Sequence, residues 1–180
     1  MAKISLQEIL VEKYGTDVIA FTKKHPEFGV FSNFKGGVEQ KFQAAKFSHD
    51  PEHQKLIMAA TPAKAKYLGS VRCKKAKLSP GQCKIWNIER VNVMRALLRE
   101  KFSEGTIYHT ILVNTGNQTI VEKSPWDSKF SLPTSRLLSA THLIIKFAGF
   151  WGCGRSGKGK NLLGKMLMEL RAELQNTVSV

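Results

Sequence analysis

Apolar positions recur at helical intervals through most of this chain. Leu6, Ile9, Leu10 and Val11 stand among charged residues between positions 5 and 13 and predict a short helix. Val18 to Thr22 predicts a short strand. Gly29 to Phe34 reads as a strand or loop with aromatic anchors, and Lys35-Gly36-Gly37 as a turn. From Val38 to Phe47 the pattern is helical again, with Phe42, Ala45 and Phe47 apolar. Helices are predicted over Pro51 to Ala59 and Pro62 to Leu68, since proline suits a first helical turn. The strongest pattern runs from Ile85 to Phe102. There Ile88, Val91, Val93, Met94, Leu97 and Leu98 form a wide apolar face opposite Arg and Glu. Thr106 to Asn114 fits either strand or helix. Ile120-Val121-Glu122 predicts another short strand. Asn161 to Leu174 predicts a helix with Leu162, Leu163, Met166, Leu167 and Leu170 turned inward. The fold class expected is mainly α, an α+β chain with a few short strands.

At 180 residues the chain is long enough for one domain with a real core, and its 42% apolar content is ordinary. Charge changes the picture. Lys and Arg number 28 against 14 acids, a net +14. Such an excess points to an anionic partner, whether nucleic acid, a nucleotide or another phosphorylated ligand. The plain alternative is a solvated basic surface. Cys73, Cys83 and Cys153 are odd in number and lack metal-ligand spacing, so a reduced intracellular chain without zinc is expected. The N-terminal MAKISLQEILVEKYG lacks the apolar stretch of a signal peptide. The apolar run from Leu143 to Trp151 is broken by Lys146 and too short to span a bilayer. No membrane and no metal are expected, and the compartment expected is cytoplasmic, with the nucleus as the alternative.

Residues 150 to 161 pack four glycines, three cations and Trp151 into twelve positions before the last predicted helix. Glycines let backbone N–H groups approach a ligand, and cations and helix N-termini favour phosphate. A tryptophan offers a flat face to a base or sugar. The spacing Gly152-x-Gly154-x-x-Gly157 matches a dinucleotide fingerprint as letters, but no second strand with an acid follows its helix. Gly152 to Lys158 also matches the start of a P-loop, yet Gly159 stands where Ser or Thr must hold magnesium. Phosphate cradling is expected without the nucleoside-triphosphatase machinery. A glycine-rich helix entry without a ligand is the plain alternative.

In the predicted helix from Val38 to Phe47, Glu39, Gln43 and Lys46 fall at i, i+4 and i+7 and share a face. Glu39 and Lys46 are then two turns apart, roughly 10 Å along the axis, and are not expected to touch. They could line two parts of one cleft, or belong to a solvated polar face. Trp86 could be core, and Asp127 only a turn residue.

Taken together, these pieces resemble the NADAR family, also called YbiA-like. They occur in its order: Phe31-Ser32-Asn33-Phe34, then Glu39 with Phe42-Gln43-Ala44-Ala45-Lys46-Phe47, Ala65-Lys66 with Leu68-Gly69, and Trp86 with Met94. Lys101-Phe102, Thr115-Gly116, Val121-Glu122 with Ser124-Pro125-Trp126-Asp127, Trp151-Gly152-x-Gly154 and Gly159-Lys160-Asn161 with Leu163-Gly164 and Leu167-Met168 complete the match. The resemblance implies a compact, mainly helical single domain over residues 1–180. It implies an N-glycoside hydrolase acting on an ADP-ribosylated base or a ribosyl phosphate, without a cofactor. The substrate is then ADP-ribose-like, free or carried on ADP-ribosylated nucleic acid; some family members cleave early riboflavin-pathway intermediates. Carried over residue by residue, Glu39, Lys46 and Asp127 are the catalytic candidates. Asn33, Phe34, Gln43, Trp86, Trp151, Gly152, Gly154, Lys160 and Asn161 are the substrate-binding candidates, and the glycine-rich loop would hold the pyrophosphate.

Breaking a C1′–N bond builds positive charge on the ribose, which a carboxylate such as Glu39 can stabilise, or it can activate water. If the ring opens, Lys46 as a neutral amine could instead form a Schiff base at C1′. This chain departs from the family in two places. About 20 extra residues, Lys129 to Gly149, separate Asp127 from Trp151. They read as a looped-out hairpin or helix, or as a retained intron. A non-catalytic ADP-ribose-binding module, or a basic nucleic-acid-binding protein, is the alternative reading. The connection from Phe34 to Glu39 is also short, and Gln40 stands where the family has histidine.

Overall fold

Two four-residue strands, β1 (Val18–Phe21) and β2 (Thr119–Glu122), pair in parallel, with Val18 opposite Thr119 and Phe21 opposite Glu122. A parallel pair needs a long crossover. Here the crossover carries the whole of a second helical unit. The computed structural model describes residues 5–70, 73, 77–123, 150–154 and 156–177. Asp127 and the extra segment 129–149 lie outside the described residues. The backbone gathers into two units, Val30–Leu112 and Met1–Gly29 with Val113–Val180.

The unit Val30–Leu112 is helical. It contains α2 (Val38–Ala44), running into a 3-10 turn at Ala45–Phe47, then α3 (Pro51–Met58), α4 (Pro62–Leu68) and α5 (Pro80–Lys101). A further 3-10 turn, Phe28–Phe31, leads in, and α6 (Ile107–Val113) leads out. The starts are written locally. Asp50 Oδ1 accepts from the His53 N–H (2.9 Å) and Thr61 Oγ1 from that of Lys64 (3.4 Å), each just before a proline. Ser79 and Gln82 form a capping box around Pro80, so α5 begins five residues before the predicted Ile85. Packed against α3, α4 and α5, α2 buries Phe42 and Ala44. Ala44, Phe47, Ile57, Ala65, Leu68 and Cys73 form a core cluster.

The predicted apolar face of α5 needs correction. Met94 and Leu98 are buried, but Ile85 and Ile88 are 63% and 71% exposed. The ambiguous stretch after Thr106 is helix α6.

In the other unit, α1 (Leu6–Tyr14) starts at a Ser5–Glu8 capping box and packs against β1. α7 (Leu162–Thr177) packs on β2 through buried Leu163, Met166, Leu167 and Leu170. Gly164 is required there, because a Cβ would stand 2.1 Å from the Ile120 carbonyl oxygen. Among the described residues, no helix is long and apolar enough to cross a membrane.

Candidate active site

The loop from Ser32 to Gly37 delivers Glu39 to the interior of the helical unit. Gly36 and Gly37 adopt positive φ (68° and 75°), a turn that side chains disfavour. The Glu39 N–H donates to the Asn33 carbonyl (2.8 Å), closing the loop onto the first turn of α2. Glu39 is 1% exposed. Its two carboxylate oxygens are held separately. Asn33 Nδ2 donates to Oε2 (2.5 Å) and Gln43 Nε2 to Oε1 (2.7 Å).

Gln43 relays the contact onward. Its Oε1 accepts from the Lys46 ammonium, and Lys46 Nζ also donates to the Gly69 carbonyl at 2.9 Å. Glu39 and Lys46 are therefore joined through one amide rather than by direct contact. The shared face predicted for positions 39, 43 and 46 is present. A side chain on Gly69 is excluded, since a Cβ would meet Gln43 Oε1 at 2.1 Å. His53 fixes Gly69 from below: its Nε2 lies 3.1 Å from the Leu68 carbonyl, so that nitrogen carries the proton. Gln40 Nε2 donates to the Ala60 carbonyl (3.1 Å) and Gln54 Nε2 to that of Ala44 (3.0 Å), tying both ends of α2 down.

The aromatic candidates flank this relay. Trp86 packs edge-on against Phe42 with centroids 4.9 Å apart, and Lys46 Nζ lies 5.5 Å from the Trp86 ring centre. Trp86 is half-buried, with part of its surface open. Phe34 carries Lys66 Nζ at 5.3 Å over its ring. Lys66 and Arg90 were not among the sequence candidates, although both act on the relay electrostatically.

Burial sets the electrostatics. It pushes the Glu39 carboxyl up from its ordinary value, against the Gln43 hydrogen bond, Lys66, Lys46 and Asn33, which pull it down. It pulls the Lys46 ammonium down to about 8; Glu39 resists, and Lys66 and Arg90 add to the fall. At about 8, roughly one-tenth of Lys46 is neutral at pH 7, against about 0.03% of an ordinary lysine. A buried acid and a partly neutral amine thus share one relay.

The remaining candidates belong to the other unit. Gly152 and Gly154 are buried, and Trp151 is half-buried against Phe150, with ring centroids 5.0 Å apart. Lys160 Nζ lies 5.7 Å over the Phe150 ring. Asn161 is fully buried at positive φ (50°), and both polar atoms of its amide are engaged with β2. Nδ2 donates to the Ile120 carbonyl (2.8 Å), and Oδ1 accepts from the Glu122 N–H (3.0 Å).

The glycine-rich loop differs from the expected phosphate cradle. The N–H of Cys153 donates to the Glu122 carbonyl, of Gly159 to Cys153, of Asn161 to Gly152, of Leu162 to Phe150 and of Leu163 to Trp151. Those donors are satisfied within the chain, and the first turn of α7 is capped by the loop's own carbonyls. Lys13 Nζ donates to the Gly157 carbonyl (3.0 Å), holding the loop from α1. A phosphate at this helix end would have to displace these bonds. Among the described residues no group of three His, Cys, Asp or Glu side chains could hold a metal ion.

Known proteins are similar to this chain in sequence and in fold. A protein named as an N-glycosidase from Nostoc punctiforme is 33% identical over 176 residues, covering 90% of this chain and 96% of its own. A maize chloroplastic riboflavin biosynthesis protein, PYRR, is 30% identical over 93% of this chain, but this match spans only 27% of its length. The NMR structure of the E. coli protein YbiA superimposes with a TM-score of 0.64 at 27% identity, covering 98% of this chain and 95% of that one. The mainly helical fold described above matches that neighbour. The sequence profile of the NADAR domain matches residues 20–175, so the second half of β1, all of β2, the Glu39 helix and the glycine-rich entry to α7 fall within it, and the chain belongs to the NADAR family.

Proposed function

We propose that the chain is an N-glycoside hydrolase that cleaves a ribosyl C1′–N bond in an ADP-ribosylated base or a related ribosyl phosphate. One observation carries this reading: a buried carboxyl, Glu39, linked through Gln43 to an amine whose pKa has fallen to about 8. The names of the N-glycosidase relatives support it.

As the base leaves, the C1′–N electron pair departs with it and positive charge spreads over C1′ and the ring oxygen. The Glu39 carboxylate faces that charge with Asn33 and Gln43 fixing its two oxygens. In the direct route, Glu39 takes a proton from the water that bonds to C1′. In the covalent route, the neutral fraction of Lys46 attacks C1′ of the opened sugar, and the base leaves with its electron pair and a proton. Water then hydrolyses the Schiff base and returns the free amine. Trp86 offers a face for the base. Lys66 and Arg90 supply positive charge for the phosphate. Asp127 is the candidate acid for protonating the departing nitrogen.

The test uses ADP-ribosylated guanosine and a ribosylamino-pyrimidine phosphate, with release of base and sugar followed by mass spectrometry. Glu39→Gln should abolish release while calorimetric binding persists. Full hydrolytic activity in that variant would falsify the assignment. Cyanoborohydride during turnover separates the routes: a reduced sugar adduct mapped to Lys46 establishes the covalent one, and its absence under full turnover favours direct hydrolysis.

A further inference from the structure

Lys101, at the C-terminal end of α5, is buried with its ammonium inside the helical unit. Among the described residues no carboxylate pairs with it, since neighbouring Glu100 pairs with Lys41. Its Nζ donates to the carbonyls of Val30 and Ser32, the latter at 3.0 Å. The Phe102 and Tyr108 rings lie 5.2 Å from the same nitrogen. A buried ammonium is costly to desolvate, and burial together with Lys35 brings its pKa down to about 7. A methionine of similar length would avoid that cost, so a reason for the charge lies in what it holds.

What it holds is the backbone immediately before Asn33. The Lys35 N–H also donates to the Ser32 carbonyl (3.0 Å), and Phe34 N–H to Ser32 Oγ (3.3 Å). Gly36 curls over the Lys101 stem, where a Cβ would stand 3.2 Å from the nearest methylene. The next links are Asn33 Nδ2 to the carboxylate of Glu39 and Glu39 N–H to the Asn33 carbonyl. A cavity of about 210 Å³, lined by Val38, Leu97, Thr106 and Tyr108 among others, lies beside this lysine, so packing alone leaves the loop room to shift.

We infer that Lys101 is a positioning residue for Glu39: by gripping the Val30 and Ser32 carbonyls it keeps Asn33 aimed at the carboxylate. This deepens the hydrolase reading for its effect on turnover, but its effect on Glu39 is measurable without turnover. The experiment titrates Glu39 by carboxyl ¹³C NMR in the full chain, as wild type, Asn33→Ala, Lys101→Met and the double variant. Asn33 lowers the Glu39 pKa, so both single variants should raise it, and the double variant should add nothing beyond the larger single shift. A direct charge effect of Lys101 would instead add to the Asn33→Ala shift and overturn the inference. So would an unmoved Glu39 in a folded Lys101→Met protein. If Lys101→Met does not fold, Lys101→Gln, which retains one donor group, carries the same cycle. With the ribosyl substrates, Lys101→Met should lower kcat about tenfold with KM nearly unchanged, and Lys101→Arg should recover most of it. A wild type that cleaves none of them defeats the proposed function, while the NMR cycle still decides on Lys101.

Discussion

Replacing Gly69 by alanine perturbs the relay with a single methyl group. Gly69 has φ −83° and ψ 3°, which any residue adopts, so the substitution introduces no backbone strain. The new Cβ would stand 2.1 Å from Gln43 Oε1 and 2.9 Å from Gln43 Cβ and Cδ. It takes the place where that oxygen meets the Lys46 ammonium. The amide must turn away, losing its bonds to Glu39 and from Lys46. Hydrogen bonds to charged groups are worth about 1.5–3 kcal/mol each, though Asn33 still holds Glu39 and the Gly69 carbonyl still holds Lys46. A net loss of about 3 kcal/mol in the transition state corresponds to about a hundredfold fall in kcat/KM. Gln43 is the strongest of the influences holding the Glu39 carboxyl down, so the acid limb of the pH–rate profile should also move to higher pH. The assay is base release against pH for wild type, Gly69→Ala, Gln43→Ala and the double variant. Once Gln43 is truncated the methyl group has nothing to displace. Gly69→Ala should then change kcat/KM by less than about threefold. Full activity in Gly69→Ala, or an equal loss in both backgrounds, refutes the relay.

Lys66→Ala should raise KM for phosphorylated ribosyl substrates by about tenfold while changing kcat little, and should not alter KM for an unphosphorylated riboside. Burial depresses Lys46 to about 8 and Lys101 to about 7. Between those values and the unfolded value near 10.5 the unfolded chain binds more protons, so their contribution to stability rises with pH from about 7 to 10. Urea melts at pH 6.5, 8 and 9.5 should show this rise, and a Lys46→Met, Lys101→Met double variant should flatten it. Gly164→Ala drives a Cβ against the Ile120 carbonyl and should destabilise by about 1–3 kcal/mol in urea, with unaltered Glu39 titration. Asn161→Ala removes both clasps on β2 and should cost about 2–4 kcal/mol by the same measure.

Much of the local order was legible because caps and periods are local physics. The i, i+4, i+7 face of Glu39, Gln43 and Lys46 follows from helical spacing alone. The prolines at 51 and 62 marked the starts of α3 and α4. The true start of α5 was equally available in Ser79-Pro80-Gly81-Gln82, a capping box with proline at its first helical position. Ranking by hydrophobicity misled at the face of α5. Its buried stripe is Met94, Leu98 and Lys101, continued by half-buried Trp86 and Arg90, while Ile85 and Ile88 face solvent. No periodicity scale places a lysine inward; only what Lys101 holds explains it. Lys66, Gly69 and Lys101 reach the neighbourhood of Glu39 from other helices, and no spacing along the chain encodes that meeting. The glycine-rich loop reads ambiguously from its letters: they suit a phosphate cradle, but hydrogen bonds within its own unit occupy the amides of Cys153, Gly157, Gly159 and Asn161.

The spacing of Glu39 from Lys46 has a consequence for their charges. An acid and an amine in direct contact stabilise each other's ions: the carboxyl falls, the ammonium rises, and neither can exchange a proton near neutrality. Here burial acts on both groups, and its effect exceeds that of the opposite charge in each case. Glu39 moves up and Lys46 moves down, so the two values approach each other. The amide of Gln43 makes this possible. It satisfies a carboxylate oxygen with its N–H and the ammonium with its carbonyl, while keeping the ions from closing on each other. Gln43→Gly, by opening room for contact, should let Lys46 approach Glu39. The Lys46 value then returns toward that of an ordinary lysine, and its neutral fraction at pH 7 falls. Under the covalent route, turnover in that variant would recover only at higher pH, whereas direct hydrolysis would show no such alkaline recovery. A pH–rate profile of Gln43→Gly beside ¹⁵N NMR titration of Lys46 therefore reads the chemical role of the lysine from the residue that holds it apart.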